Sequence, residues 1–221
     1  HGRLVGERRV EVTAIDGAVT ELVATHAVVV STGSDALVPD IPGIHDSHPF
    51  WTSREATSAQ EAPDSLAIIG GGVVAVEMAT AYATFGTTVT IFARSGLLQG
   101  QEDIAGEAVD AGLRSLGVTI VKAAPTSITR TTAGVEVYVG DDVTLATEVL
   151  VATGRTPRTT DIGLETVGLT PGAWIDVDDT MLVRGTDWLY ATGDVNHRAL
   201  LTHQGKYQAR AAGDVIAARA L

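Results

Sequence analysis

The alternation of apolar and polar positions predicts strands and helices in turn along the chain. An apolar run at 66–69 leads into glycines, a helix-like stretch and a second apolar run at 88–92. This strand–turn–helix–strand order over 67–94 is typical of a dinucleotide-binding unit. Helical periodicity recurs over 102–117 and 202–221. The pattern predicts an α/β protein, with a Rossmann-like three-layer domain built on a parallel sheet.

Three strand-like segments end in the same kind of small-residue tip. These tips are Ser-Thr-Gly at 31–33, Ala-Thr-Gly at 152–154 and Ala-Thr-Gly at 191–193. Backbone can approach a ligand or another backbone closely at such positions. We expect all three tips to lie at the carboxyl ends of strands, where α/β sheets bind ligands.

The remaining segments have simpler interpretations. Residues 8–15 and 118–124 predict strands, 127–150 predict a meander of short strands, and 161–169 predict a short helical piece. Residues 36–65 are rich in Pro, Ser and Asp without a clear period, so we predict a connector.

Composition narrows the function classes. The net charge of −12 over 221 residues argues against nucleic acid or an anionic membrane as a general partner. No apolar run is long enough for a transmembrane helix. The chain has no cysteine, which excludes disulfides and thiolate catalysis within it. It begins with His1 and shows no signal segment. We expect a fragment or processed form located in the cytoplasm.

The glycine turn has the spacing that a dinucleotide pyrophosphate needs. Gly70 permits a tight turn, Gly72 lets phosphate approach the backbone, and Ala75 lets the helix pack close to the strand. Gly71, Val73 and Val74 complete the turn and open the helix, whose free N–H groups would face the phosphates. The alternative is a glycine turn in some other α/β fold.

The end of the second strand favours NADP(H) over NAD(H). NAD sites place an acid here to bind the ribose 2′-OH, whereas this chain has Ala93, Arg94 and Ser95. An arginine fork matches a 2′-phosphate, and an alanine removes the repulsion. The alternative is an ordinary surface arginine.

Three motifs, "IIGGGVVAVEMA", "VATGRTP" and "YATGD", resemble the class I pyridine nucleotide–disulfide oxidoreductases. Within that family the similarity is greatest to the mercuric reductase and dihydrolipoamide dehydrogenase branches. The resemblance implies an FAD-dependent enzyme that passes hydride from NAD(P)H to FAD and on to a disulfide, metal ion or small acceptor. It also implies that this is the family's central fragment. On that basis 52–155 form the NAD(P)-binding domain, while 1–51 and 156–221 form two pieces of a partial FAD-binding domain.

The resemblance also implies roles for single residues. It places Glu77 near the flavin–nicotinamide contact, although a first-turn acid also suits the helix dipole. It gives Asp194 an FAD ribityl contact, with an ordinary turn acid as the alternative. It assigns the other contacts to Gly154 at the nicotinamide, to Thr32, Gly33 and Gly193 at FAD, and to Thr202 and His203 at a helix start facing the flavin. The ring of His203 itself need not take part. Gly100 stands where NADPH-using members carry a second arginine, which weakens the predicted NADP(H) preference.

Two other functions stay open at this stage. One is a stand-alone dinucleotide sensor without FAD chemistry, and the other is a relative that reduces quinones or oxygen without a cysteine pair. Because the family's N-terminal FAD-binding turn and cysteine motif lie outside this sequence, we expect no catalytic residue here. We also expect weak FAD binding and no reductase activity from this chain, and a homodimer for the whole protein. His45, Asp46 and His48 are too loosely spaced to predict a metal site, and Trp51, Trp174 and Trp188 are interpreted as packing residues.

Overall fold

A computed structural model describes residues 1–46 and 49–221. The strands of this part are β1 Gly2–Gly6, β2 Arg9–Thr13, β3 Val19–Val23, β4 Val28–Val30, β5 Ser34–Ala36, β6 Ser65–Ile69, β7 Thr88–Phe92, β8 Thr119–Val121, β9 Ser127–Thr131, β10 Gly134–Val139, β11 Asp142–Ala146, β12 Glu148–Val151, β13 Arg155–Pro157 and β14 Leu189–Ala191. The α-helices are α1 Ser53–Ser58, α2 Val73–Thr84, α3 Asp103–Ser115 and α4 Thr202–Ala220, and short 3-10 helices cover Leu164–Val167 and Gly193–Asn196.

The chain divides into two compact units. The first unit contains His1–Asp35 and Arg155–Leu221, and the second contains Ala36–Gly154. The predicted first boundary was 51, whereas the second unit begins at Ala36. The cause is packing, because Ile44 and Phe50 are buried in that unit's core and the Trp51 N–H donates to Val149 O at 2.8 Å.

The second unit is built on a four-stranded parallel sheet in the order β12-β6-β7-β8. Its register aligns Leu150, Ile68, Ile91 and Ile120 in one row across the sheet. That row packs on α2 and α3, while the row containing Ile69 faces the antiparallel β9–β11 meander. The result is the three-layer arrangement of helices, parallel sheet and meander that the sequence predicted.

The first unit combines an antiparallel meander with a parallel strand pair. Strands β1, β2 and β3 form the meander, and β4 pairs with β14 in register Val30 to Ala191. Its buried core includes Trp188, Leu189 and Tyr190. Strands β1 and β3 were not predicted from the sequence, and β2 lies within the strand predicted at 8–15.

The tips and helices agree with the sequence predictions, with one exception. The segments 31–33, 152–154 and 191–193 all lie at carboxyl ends, of β4, β12 and β14. The predicted connector contains the unpredicted helix α1, which begins with a capping box in which Thr52 and Glu55 satisfy each other's backbone N–H groups.

In the described part of the chain, no helix is both long and apolar enough to cross a membrane.

Candidate functional site

The glycine turn lies directly after β6, at the carboxyl end of the parallel sheet. Gly70 has φ +123°, and a Cβ added there would lie 2.1 Å from the Ala152 carbonyl oxygen. A Cβ at Gly71 would lie 2.4 Å from the Gly96 carbonyl oxygen. Only glycine fits these two positions, because neighbouring backbone occupies the space that a side chain needs.

Gly72 differs from its neighbours because it faces open space. A Cβ added there would meet nothing within 4 Å, and its φ of −81° and ψ of −173° suit any residue. Gly72 is the N-cap of α2, and no side chain caps this helix start. The first backbone N–H groups of a helix have no intrahelical acceptor, so such a start favours a bound anion. The turn therefore fits a dinucleotide pyrophosphate.

Helix α2, which follows the turn, packs closely against the sheet as predicted. Ala75 is completely buried between α2 and the sheet, which allows their close approach. Val73 is 55% exposed, Val74 is half-buried, and Glu77 is exposed on α2. The surroundings of Glu77 within the second unit leave its carboxylate open to solvent.

The turn after β7 lies against the glycine turn. The Ala93 N–H donates to Val121 O at 2.9 Å, and the Gly96 N–H closes a turn on Ala93 O at 2.9 Å. Arg94 and Ser95 occupy the middle of that turn and are exposed. The Leu98 N–H then donates to Gly71 O at 2.7 Å, which ties this loop to the glycine turn. The structure thus brings together the predicted pyrophosphate and 2′-phosphate residues.

Gly154 occupies the end of the second tip with φ +134°. Its carbonyl oxygen accepts from the Leu37 N–H at 2.9 Å, and the Thr153 hydroxyl donates to Leu37 O at 2.6 Å. Gly154 itself is exposed. The tip is therefore held in place by Leu37 of the same unit while its backbone stays accessible.

Asp194, in the first unit, belongs to a polar cluster that the sequence analysis missed. The Ser34 hydroxyl donates to Asp194 Oδ2 at 2.6 Å. Arg155 donates through Nε to Ser34 Oγ at 2.6 Å and through Nη2 to Ser34 O at 2.7 Å, and its Nε lies 3.6 Å from Asp194 Oδ2. The only local signal was the position of Arg155 immediately after a small-residue tip.

The third tip is joined to α4. The Gly193 N–H donates to Gln208 Oε1 at 2.8 Å, and a Cβ at Gly205 would lie 3.2 Å from Gly193 Cα. No side chain caps α4, and its first residues Thr202 and His203 are exposed. An uncapped helix start beside a carboxylate-bearing tip can present both N–H donors and an acceptor to a ligand.

The first tip contains an unsatisfied hydroxyl. Thr32 Oγ1 is buried without a hydrogen-bond partner among the described residues, while Gly33 O accepts from the Arg158 N–H at 3.1 Å. Buried polar atoms are almost always paired in proteins, so this hydroxyl is available to a ligand. Arg158 is itself held by a hydrogen bond from its guanidinium to Asp35, which raises the pKa of Arg158. Thr32, Asp194 and the α4 start therefore fit part of an FAD site.

The minor predictions have separate outcomes. Trp188 is buried in the core, Trp51 packs against Tyr82, and Trp174 stacks on His197 with ring centroids 4.3 Å apart. His48 lies outside the described residues. Within 1–46 and 49–221, no group of three or more His, Cys, Asp or Glu side chains could hold a metal ion.

The parallel sheet, the glycine turn and the uncapped helix after it define a Rossmann-like dinucleotide-binding protein. Residues 3–213 match the family model described as pyridine nucleotide-disulphide oxidoreductase. The chain belongs to this family.

Comparisons with individual proteins give the same family. A mercuric reductase of Shigella flexneri is 36% identical over 222 aligned residues, covering 96% of this chain and 38% of the relative. A dihydrolipoyl dehydrogenase of Geobacillus stearothermophilus is 33% identical and is matched over 86% of this chain and 41% of its own. The Cu(II) complex of the HOCl-induced flavoprotein disulfide reductase RclA of Escherichia coli superimposes with a TM-score of 0.87 at 26% identity, covering 96% of this chain and 48% of RclA. The chain thus spans less than half the length of each of these relatives.

Proposed function

We propose that this chain is the NAD(P)-binding part, with a portion of the FAD-binding part, of a flavoprotein oxidoreductase. The main support for the proposal is the glycine turn at the carboxyl end of β6. There Gly72 is the N-cap of α2 and leaves open space for a ligand beside a helix start that no side chain caps. The names of the relatives, which include reductases and a dehydrogenase, support a redox function.

Gly70–Ala75 would hold the dinucleotide pyrophosphate. The N–H groups after Gly72 would donate to it, and the N-terminal dipole of α2 would stabilise its charge. Arg94 and Ser95, which lie on the adjoining turn, would receive the adenosine 2′-phosphate, so we propose NADP(H) as the preferred nucleotide. The Arg94 fork and the Ser95 hydroxyl are both donors that phosphate accepts.

FAD would be held by Thr32, Gly33, Asp194 and the start of α4. The bound flavin would supply the hydride acceptor. The Asp194 carboxylate would accept hydrogen bonds from ligand hydroxyls, while the Ser34 hydroxyl, which Arg155 holds in place, fixes its orientation. The exposed N–H groups at Thr202 and His203 would favour negative charge beside them. Glu77 and Gly154 are the second unit's residues proposed for the nicotinamide end.

The later electron-transfer steps are proposed by analogy with the family. The electrons would pass on to a disulfide, a metal ion or a small acceptor. A homodimer and a cytoplasmic location are likewise predictions for the whole protein.

Calorimetric titration with NADPH and NADH, followed by FAD and a visible spectrum, tests the proposal. We expect NADPH to bind with one-to-one stoichiometry. FAD should bind weakly, and the dye-coupled oxidation of NADPH should be absent, because this chain holds only part of an FAD site. Stoichiometric FAD would show that these residues suffice for the flavin, and failure of both nucleotides to bind would contradict the proposal.

A further inference from the structure

The loop between β2 and β3 contains the only Asp-Gly pair in the sequence, Asp16-Gly17. A backbone amide that follows an aspartate can attack the side-chain carboxyl carbon and close a succinimide ring. A side chain on the following residue hinders this ring closure, and glycine has none. Both residues are exposed, so solvent water reaches the pair. The pair therefore has the composition and the exposure that this modification requires.

The turn brings the two reacting groups close together. The Ala18 N–H donates to Asp16 Oδ1 at 3.0 Å, which holds the Asp16 carboxylate beside the intervening backbone of Gly17. A Cβ added to Gly17 would meet nothing within 4 Å, so the surrounding residues leave room for a ring at this position. Gly17 has φ +84°, in the left-handed region that glycine adopts without strain.

Ring closure requires the Gly17 N–H to leave its present acceptor. This N–H donates to Ala14 O at 3.0 Å, and the Ala14 N–H donates to Ala18 O at 2.8 Å across the same loop. All residues from 14 to 23 are exposed, so no buried side chain holds these two bonds closed. Exposed loops with few buried contacts open at a low free-energy cost. The loop therefore releases the Gly17 amide far more readily than the protein unfolds.

We propose that Asp16 is a site of spontaneous isoaspartate formation. The Gly17 nitrogen attacks Cγ of the protonated Asp16 carboxyl, whose hydroxyl leaves with the amide proton as water. Water then adds to one of the two ring carbonyls. Opening at the main-chain carbonyl leaves Gly17 bonded to Cγ, which is isoaspartate, whereas opening at Cγ restores aspartate. One water is released and one is consumed, so the isomer has the mass of the original chain.

The isomer adds one carbon atom to the backbone of the turn. The β2–β3 register pairs Thr13 with Val19 next to this turn, and farther along the ladder Arg9 binds Glu21 through Nε and Nη2 at 2.7 and 2.8 Å. An inserted backbone atom weakens the pairing closest to the turn first. The hairpin lies in the first compact unit, whereas the proposed NAD(P) site lies in the second.

The test is to incubate the purified chain at mildly acidic pH, beside Asp16→Glu and Asp16→Asn, and to map position 16 over time by peptide mass spectrometry. In the wild type a second peptide of unchanged mass should appear, preceded by a species that is lighter by one water. This second peptide should resist a protease that cleaves before aspartate. Asp16→Glu should show neither species, because its longer side chain needs a larger ring that forms more slowly. Asp16→Asn should reach the same succinimide by losing ammonia.

Two outcomes would overturn the proposal. One is a wild type that keeps aspartate at position 16 under conditions in which Asp16→Asn isomerises, since the turn would then close the ring for an amide but not for the natural carboxyl. The other is equal isomerisation at the exposed Asp142, which precedes Val143, because the glycine would then play no part. Thermal melts before incubation check that all three chains are folded.

Discussion

Replacing Gly72 with alanine should weaken dinucleotide binding without disturbing the fold. The added Cβ meets nothing within 4 Å, and the backbone of Gly72 is in an extended conformation that alanine adopts readily. Alanine is a poorer N-cap than glycine, but it restricts the conformations of the unfolded chain. These opposing effects leave the free energy of unfolding within about 1 kcal/mol of the wild type.

The loss of affinity follows from the position of that methyl group. It would occupy the open space in which a pyrophosphate oxygen approaches the α2 N–H groups. Losing one charge-assisted hydrogen bond costs about 1.5–3 kcal/mol, which corresponds to about a 10- to 100-fold weaker Kd. Calorimetry with NADPH and a thermal melt of the same sample measure both quantities.

Two further alanine variants separate binding from folding. Gly112→Ala lies on an exposed turn of α3 with open space around it and should stabilise the helix by up to about 1 kcal/mol while NADPH binding stays unchanged. Gly70→Ala should lower Tm strongly, because its Cβ would lie 2.1 Å from the Ala152 carbonyl oxygen. If Gly72→Ala binds NADPH as tightly as the wild type, then the glycine turn does not hold the pyrophosphate.

Three other predictions concern single contacts. Arg94→Gln should reduce the ratio of NADPH to NADH affinity about 10-fold, which parallel titrations measure, and an unchanged ratio would exclude Arg94 from the 2′-phosphate site. Tyr82→Phe should lower the free energy of unfolding by about 1–2 kcal/mol in denaturant titrations, because the buried Tyr82 hydroxyl donates to Ala56 O at 2.6 Å; no change would mean that water replaces the bond. The hydrogen bond from the Thr52 hydroxyl, followed by that from its backbone N–H, lowers the pKa of Glu55. The capping contribution of Glu55 should therefore be full at neutral pH and be lost as pH falls through that lowered pKa. Glu55→Gln should then change the free energy of unfolding less at acid pH than at neutral pH. Equal changes at both pH values would contradict the lowered pKa of Glu55.

The second unit could be predicted because its signals are local. The apolar run, the glycines and the helix that contain Gly70, Gly72 and Ala75 are contiguous, and each step has a distinct period. The 2′-phosphate role of Arg94 was predicted from its position at the end of the next strand, β7. Helix α1 was missed because it is short and lies within a Pro- and Ser-rich stretch, although Thr52 and Glu55 have the spacing of a capping box.

The Asp194 cluster could not be predicted, since its partners are distant in sequence. Ser34 lies 160 residues before Asp194 and 121 before Arg155. Neither periodicity nor composition encodes such a pairing, which arises only when β4 and β14 pair side by side. Strand β3 was missed for a different reason, because all five of its residues are exposed and no buried face marks it.

An amide NMR titration of the chain with NADPH tests the central claim most directly. The account predicts that the largest shifts fall on the amides of 70–75 and of 93–96, since the glycine turn and the Arg94 turn lie against each other. Shifts should be small on β3, which lies in the other compact unit. Saturation with NADPH that leaves the amides of 70–75 unchanged would contradict the account.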